Sequence, residues 1–315
     1  YLNNYEGWSL FMDSDMLVFS DIGELWDTPM DGAKIAIEVG SRQEDNRSKQ
    51  AAVMLLDCAK PRHWRVESQF ESLFRKELDY KDGITLARER ENARHLPGVR
   101  FPDNLAVRDD LPVAAEQAAH LLLVVPSHAF RATLEALKGR LPATAIIAWA
   151  TKGLEPATGR TLSRVAEDVL GSGRPLGIIS GPTFAREVAQ GLPTAVTVAA
   201  RDLATAEAIA QWLHGDRVRT YTSTDVIGVE LGGAVKNVLA IATGISDGLG
   251  LGANARAALI TRGLAEMRRL IEALGGKPET VMGLAGIGDL VLTCTDNQSR
   301  NRQVGLALGK GRKLT

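Results

Sequence analysis

A parallel α/β sheet giving way to an all-helical domain is the fold class this sequence predicts, and three observations predict it. Short apolar runs alternate with helical patterns from Ala119 to about Ser223; beyond Ser223 helical periodicity takes over; the first 82 residues follow neither pattern. The sheet so predicted is incomplete, because no glycine-rich turn after a first strand opens it. The first 82 residues then form an extra N-terminal α/β piece, ahead of a partial sheet domain at 83–223 and a helical domain at 224–315.

The alternating part reads as strand HLLLVV, helix AFRATLEALKGRL, strand TAIIAWA, helix TLSRVAEDVLG, strand PLGIIS, helix FAREVAQG, strand TAVTVAA, helix ATAEAIAQWLHG and strand RVRTYTS. A helix between successive strands implies parallel neighbours covered by helices. Next comes a helix over Asp225 to Ile245, in which Lys236 shares a face with Gly232, Gly233, Ala240 and Thr243. Val235, Val238, Leu239, Ala242 and Ile245 make a separate apolar stripe suited to a core. Small side chains around a cation leave room for a ligand; the alternative is a lysine whose stem packs while its ammonium reaches water. From Asn254 to Leu274, the residues Ile260, Leu264, Met267, Ile271 and Leu274 recur at helical intervals, and Gly275 and Gly276 end the run.

With 315 residues, 45% of them hydrophobic, the chain has the apolar content for two or three domains. Its 37 basic and 38 acidic residues nearly cancel, so no global field favours nucleic acid, and an anion site must be local. Cys58 and Cys294 offer neither a disulfide framework nor metal-ligand spacing, which fits a reducing cytoplasm. The longest purely apolar run is LLLVV, and Lys236 and Asn237 interrupt the apolar helix, so no membrane span is expected. An opening at Tyr1 rather than methionine reads as a fragment.

In the first 82 residues, WSLFMDSDMLVFSDIGELWD, KIAIEVG and AAVMLLDC resemble an internal piece of a nucleotide-sugar glycosyltransferase. That resemblance implies a divalent metal held by Asp13 and Asp15; the alternative is a solvated turn after a strand. A sheet lacking its central strand exposes unpaired edges. Either SLFMD and KIAIEV fill the gap or the domain is unstable alone, and the second is the expectation.

The stretches IGVELGGAVKNV, GANARAALITRGLAEM, GDLVLTC and TDNQSRNR resemble the bacterial NAD(P)-dependent glycerol-3-phosphate dehydrogenases. The likeness runs back through LPTAV, ISGPTFARE, WATKGLE, VVPSHAF and RHLPGVRFPDNL, from about Thr85 to Thr315. It implies a Rossmann-like sheet domain, NADP or NAD as cofactor, and reversible reduction of dihydroxyacetone phosphate to sn-glycerol 3-phosphate for phospholipid synthesis. It also implies roles by residue. Lys236 is the catalytic acid and base, with a pKa brought down by burial and a second cation, Lys152. Lys152, Gly181, Thr183, Asp289, Ser299, Arg300 and Asn301 bind the substrate, whose phosphate needs converging donors. Lys152, Ala185 and Arg300 lie against the cofactor, and Asn237 and Thr293 are further site candidates. On the residues alone, Lys152 and TDNQSRNR also suit solvated loops, and Asp289 and Thr183 suit caps. GLGLGANA and GLAGIGD lack a preceding strand and are not dinucleotide fingerprints, the first reading as a turn before a helix, and His128 reads as a loop or helix-start residue. A phosphorylated small-molecule substrate and a homodimer complete the expectation; a metal-dependent glycosyltransferase or a non-catalytic chimera is the alternative.

Overall fold

The computed structural model describes residues 8–10, 89–92, 96–107, 111–116 and 118–312. The chain divides into two compact units: Tyr1–Thr151 with Ala166–Pro175 and Ala185–Leu192, and Lys152–Val165 with Leu176–Phe184 and Pro193–Thr315.

In the first unit, strands β1 (Trp8–Leu10), β2 (His120–Leu123) and β3 (Ile146–Trp149) pair in parallel, with Trp8 opposite His120 and His120 opposite Ile146. Leu121, Leu122 and Leu123 are buried in sequence, as are Ile147, Ala148 and Trp149. Successive burial is the mark of a strand covered on both faces, which is why these runs are apolar without alternation. Helix α1 spans Leu111–Ala115, and α2 spans Ser127–Leu137 with Phe130 edge-on to Trp149, ring centroids 5.6 Å apart. β1 corrects one expectation in part. Ser9 and Leu10, from the run SLFMD, do pair with the β2 edge, whose backbone groups otherwise lack that ladder. KIAIEV lies outside the described residues.

Helix α3 (Leu162–Leu170) has its first turn in the second unit, and α4 (Ala185–Ala189) belongs to the first. In the second unit, β4 (Leu176–Ser180) pairs antiparallel with β5 (Thr194–Ala200), and β5 pairs parallel with β6 (Val218–Ser223). The sheet is therefore mixed where the sequence predicts it parallel. A parallel return must run back the length of a strand, roughly 16 Å for five residues. The five-residue α4 between β4 and β5 covers only about 8 Å. The longer α5 (Leu203–Ala210), capped by Asp202, lies between the parallel pair β5 and β6.

Helix α6 (Val226–Gly248) organises the rest of this unit. Asp225 caps it, accepting from Gly228 N at 3.0 Å, and its other oxygen accepts from Lys277 N at 2.9 Å and Thr280 Oγ1 at 2.5 Å. The buried face of α6 includes the small-residue strip, Gly232, Gly233, Lys236, Ala240 and Thr243. The apolar stripe expected in the core is met only in part: Val235 and Leu239, half-buried, pack against the core that contains Leu231, Met267 and Ile271, whereas Val238 is 67% exposed. Close backbone packing needs small side chains, and that requirement outranks hydrophobicity here. By length and composition α6 passes as long and apolar enough to cross a membrane, but half of its apolar window is buried inside the fold.

Helix α7 (Gly252–Ala273) lays Met267 and Ile271 on α6, in a core with Leu231, Ala240, Val281, Leu290 and Cys294. Gly275, at φ 85°, ends α7 in the left-handed conformation, and Gly276 N donates to Ile271 O at 2.8 Å. Leu274, expected in the core, is exposed because it sits at that end. A 3₁₀ turn (Pro278–Met282), a π-helical turn (Leu284–Gly288) and α8 (Asp289–Thr295) lead to α9 (Arg300–Gly309). α9 packs on α6 through glycines. A Cβ on Gly305 would stand 2.1 Å from Ile241 O, and one on Gly244 would stand 2.1 Å from Arg302 O. The two helices cross backbone against backbone, which fixes where α9 begins.

Gly305→Ala should lower stability by about 1–3 kcal/mol, since Ile241 O cannot retreat without moving α6. Val304→Ala, on the more exposed side of α9, should change it by less than about 0.5 kcal/mol. Urea unfolding midpoints measure both, and coincident midpoints for the two variants would contradict the backbone contact.

Candidate active site

One carboxylate joins two lysines in the second unit. Lys236 Nζ donates to Asp289 Oδ1 at 2.5 Å, and Lys152 Nζ donates to Asp289 Oδ2 at 2.6 Å. Lys152 Nζ also donates to Gly181 O at 3.0 Å, at the carboxyl end of β4. The Asp289 side chain is 1% exposed, that of Lys236 9% and that of Lys152 17%.

Local sequence explains how these groups meet. α6 turns Lys236 onto its buried, small-residue face. A Cβ on Gly232 would lie 2.2 Å from Ala285 O, so the π-helical turn rests directly on α6 and delivers Asp289 as the first residue of α8. A Cβ on Gly233 would meet Ser180 Oγ at 3.1 Å and Lys152 Cγ at 3.5 Å. Beside Gly232 and Gly233, then, the room expected for a ligand is taken by the protein's own backbone and by Lys152. Thr293, one turn along α8, donates to Asp289 O at 2.6 Å and stands 3.4 Å from Oδ1, holding the carboxylate from behind.

Burial sets the protonation chemistry. Desolvation, and then the Lys152 ammonium, bring Lys236 down from 10.5 to about 7, against the opposing pull of Asp289. Burial alone would raise Asp289, but the charges and hydrogen bonds of Lys152 and Lys236 outweigh it and hold the acid below its usual range. Asp289 therefore stays an anion while Lys236 exchanges its proton near neutrality, the property a general acid and base requires. Burial also raises the Cys294 thiol, leaving it protonated and inert.

The predicted anion loop stands at the start of α9. Ser299 is its buried N-cap and accepts from Arg302 N at 3.2 Å; Arg300 is exposed at the first position; Asn301 Nδ2 donates to Asn237 Oδ1 at 2.9 Å, beside Lys236 in the chain. Arg302, buried, donates to Asp247 Oδ2 and to Asn297 Oδ1, each at 2.5 Å, and Asp247 also accepts from Arg256 at 2.8 Å. Thr183 precedes α4 and donates to Gly181 O at 3.3 Å. Lys152, Gly181, Asp289 and Lys236 are thus in contact as one cluster, and Asn237 and Asn301 pair next to it. Ala185 belongs to the first unit, packed with Leu96, Val99 and Ala189. Asp13 and Asp15 lie outside the described residues. His128 is an exposed second residue of α2, and GLGLGANA spans the turn from the end of α6 into the first residues of α7, with Gly250 and Gly252 at positive φ.

Sequence reasoning missed the Asp247–Arg302 pair and a second buried carboxylate, Glu230, which accepts from Ser163 N at 2.8 Å and from Ser163 Oγ. A signal for Glu230 was present, an acid within an apolar helical stretch; nothing in the sequence named its partner. The glycine spacing of GISDG and GLALG was equally legible as a close helix crossing.

Strands followed by helices, with a buried lysine titrating near 7 beside a second lysine, define an α/β protein with the groups of a general acid and base. Residues 68–206 match the profile for the NAD-dependent glycerol-3-phosphate dehydrogenase N-terminus, and residues 225–315 match that for the C-terminus. The chain belongs to the NAD-dependent glycerol-3-phosphate dehydrogenase family. The first match begins upstream of Thr85, where the motif likeness started, and residues 1–67 lie outside both. Glycerol-3-phosphate dehydrogenase [NAD(P)+] of Xanthomonas oryzae pv. oryzae is 56% identical over 230 residues, 73% of this chain and 67% of the relative. That of Pseudoalteromonas translucida is 58% identical over 234 residues, 74% of this chain and 70% of the relative. The crystal structure of the Coxiella burnetii enzyme has a TM-score of 0.71 and 52% identity, covering 74% of this chain and 71% of its own.

Asp289→Asn should leave two lysines without their anion, costing about 3–5 kcal/mol and pushing Lys236 further below 7. The sign of the linkage is set by a folded value below the unfolded 10.5: the unfolded state binds more protons between the two. Stability from Lys236 is thus lowest below about pH 7 and recovers as pH rises toward 10.5. Urea melts from pH 6 to 10 check this, and a wild-type profile that falls across that window would contradict the buried lysine.

Proposed function

We propose that this chain interconverts dihydroxyacetone phosphate and sn-glycerol 3-phosphate with NADPH or NADH, supplying glycerophospholipid synthesis in the cytoplasm. The observation that carries this is the buried Lys236–Asp289–Lys152 cluster. In the reducing direction, protonated Lys236 gives its proton to the oxygen forming at the middle carbon, and Lys152 beside it offsets the negative charge developing there. Asp289 holds both amines in register and stays ionised throughout. The neutral amine left behind is tolerated because its site is buried. Ser299, Arg300 and Asn301 open the ten-residue α9, where backbone N–H groups and the guanidinium fork suit the substrate phosphate; Gly181 and Thr183 line the β4 end.

The bound nicotinamide supplies the hydride. The donor set fits its reactive end, since a proton-exchanging amine stands beside a second cation, and Lys152 and Arg300 are the residues of the second unit we assign to holding it. The pyrophosphate end is different. The residues after β1, Phe11-Met12-Asp13-Ser14-Asp15, contain no glycine, so the turn that ordinarily approaches a pyrophosphate has no counterpart there. The chemistry above is therefore assigned to the chain's own side chains. We assign 83–223 to the partial dinucleotide domain and 224–315 to the substrate domain, assembled as a homodimer. For residues 1–67, which lie outside the family match, the alternative is a glycosyltransferase-like piece with a metal on Asp13 and Asp15, for which manganese-dependent nucleotide-sugar binding, lost in Asp15→Ala, is the test.

Purified protein should oxidise NADPH when dihydroxyacetone phosphate is added, and Lys236→Ala should lose the rate by about 100-fold or more. Reduction needs the protonated amine, so its rate should hold below about pH 7 and fall above it; oxidation of glycerol 3-phosphate should rise through the same value. An unchanged rate in Lys236→Ala would remove that lysine from the reaction.

A further inference from the structure

Six residues before Lys236, on the same helix, a second charged group is buried without touching the lysines. Glu230 is 3% exposed. Six positions advance about 9 Å along a helix and leave the two side chains on different faces. Glu230 Oε1 accepts from Ser163 N at 2.8 Å, and Oε2 accepts from Ser163 Oγ at 2.5 Å. Both donors belong to the first turn of α3, so a carboxylate on α6 caps a different helix.

What Ser163 holds is the loop that begins at Lys152. Ser163 Oγ lies 3.1 Å from Thr161 Oγ1, and Thr161 bridges antiparallel to Leu154. One rung further, Glu155 N donates to Arg160 O at 2.9 Å. Leu154 packs on the Leu231–Met267–Ile271 core beneath α6. Residues 154–161 therefore form a closed hairpin whose outgoing strand leaves Lys152 two residues upstream and whose returning strand ends two residues before Ser163, which Glu230 grips. A carboxylate bonded at both oxygens makes a stiff joint, and burial makes it costly to break.

We propose that Glu230 is a positioning residue, which locks the Lys152 hairpin to α6 through Ser163 and so keeps Lys152 beside Lys236 and Asp289. One helix then sets both cations, Lys236 directly and Lys152 at second hand. This deepens the reading of the site under Proposed function, in which the two lysines act together. Its test needs neither cofactor nor turnover, so failure of either idea can be told from failure of the other.

The readout is the protonation of Lys236 in the full chain. Among the described residues, the charged and titratable groups that face it are Lys152 and Asp289, with the Cys294 thiol of α8 farther off. A lysine ammonium moved away from its neighbour raises that neighbour's pKa. Competitive labelling with acetic anhydride between pH 5 and 11, read by mass spectrometry, gives the midpoint for Lys236 without any substrate. The wild type should titrate near 7, and Lys152→Met should move the midpoint up by on the order of one pH unit. Glu230→Ala should move it in the same direction, Ser163→Ala by less, and Glu230→Gln, which still bonds Ser163 at both atoms, should stay close to wild type. In a Lys152→Met background, Glu230→Ala should add no further shift, whereas general loosening of the fold would add one. An unmoved midpoint in both Glu230→Ala and Ser163→Ala overturns the proposal, as does an additive shift in the double variant or an unmoved midpoint in Lys152→Met. Should Glu230→Ala fail to fold, Ser163→Ala and its Lys152→Met double variant decide the matter alone.

Discussion

A single buried carboxylate between two ammonium groups is the constraint on which the second unit depends. Without Asp289 the two buried ammonium groups would face each other unpaired, and without the lysines Asp289 would be an uncompensated buried charge. Three segments distant in the chain are thereby tied at one point: the loop after β3, the middle of α6 and the start of α8. The attraction offsets the desolvation of these groups, and the residue of that conflict is an amine titrating near 7. Structure and chemistry have the same origin here, because the burial that strains the ion cluster also makes its proton mobile at neutral pH.

The packing around that point is achieved with glycine rather than with bulk. α6 meets the π-helical turn at Gly232 and α9 at Gly244 and Gly248, in each case closer than a side chain permits. Such contacts carry little hydrophobic area, yet they position backbone to within a fraction of an ångström, since neither partner has a flexible atom to yield. Larger apolar side chains of this unit, Met267, Ile271, Leu231 and Leu290, form a conventional core on the flank of α6. Stability and precision are thus separated on one helix, the flank supplying burial and the glycine strip supplying register.

Much of this was legible beforehand, for identifiable reasons. Strands and helices from His120 onward announced themselves by apolar runs and by periodicity, which depend on near neighbours in the chain. Lys236 was visible because a charge in an apolar helix is expensive, and the small residues around it were visible as a strip; what filled the strip was not, since Ala285 and Ser180 arrive from elsewhere. Of the stripe chosen as core, Val235 and Leu239 do pack on it, but Val238 does not, because hydrophobicity alone cannot foresee a fully buried face chosen for closeness. Antiparallel β4 and β5 were missed because the alternation of patterns records that a helix intervenes, without recording whether it is long enough to bring the chain back.

The amino-acid order by itself determined the kinds of element, the family likeness of the downstream motifs and the short set of residues able to move a proton or hold an anion. These follow from covalent neighbours, side-chain chemistry and local periodicity. Only the tertiary structure decided that Lys152 and Lys236 share one carboxylate, that Glu230 grips Ser163 and that Arg302 reaches Asp247. Those pairings lie 137, 53, 67 and 55 residues apart, and no local rule selects one distant partner among many with the same charge. Selection comes from backbone close-packing, which leaves each buried charge a single place to find its counterpart.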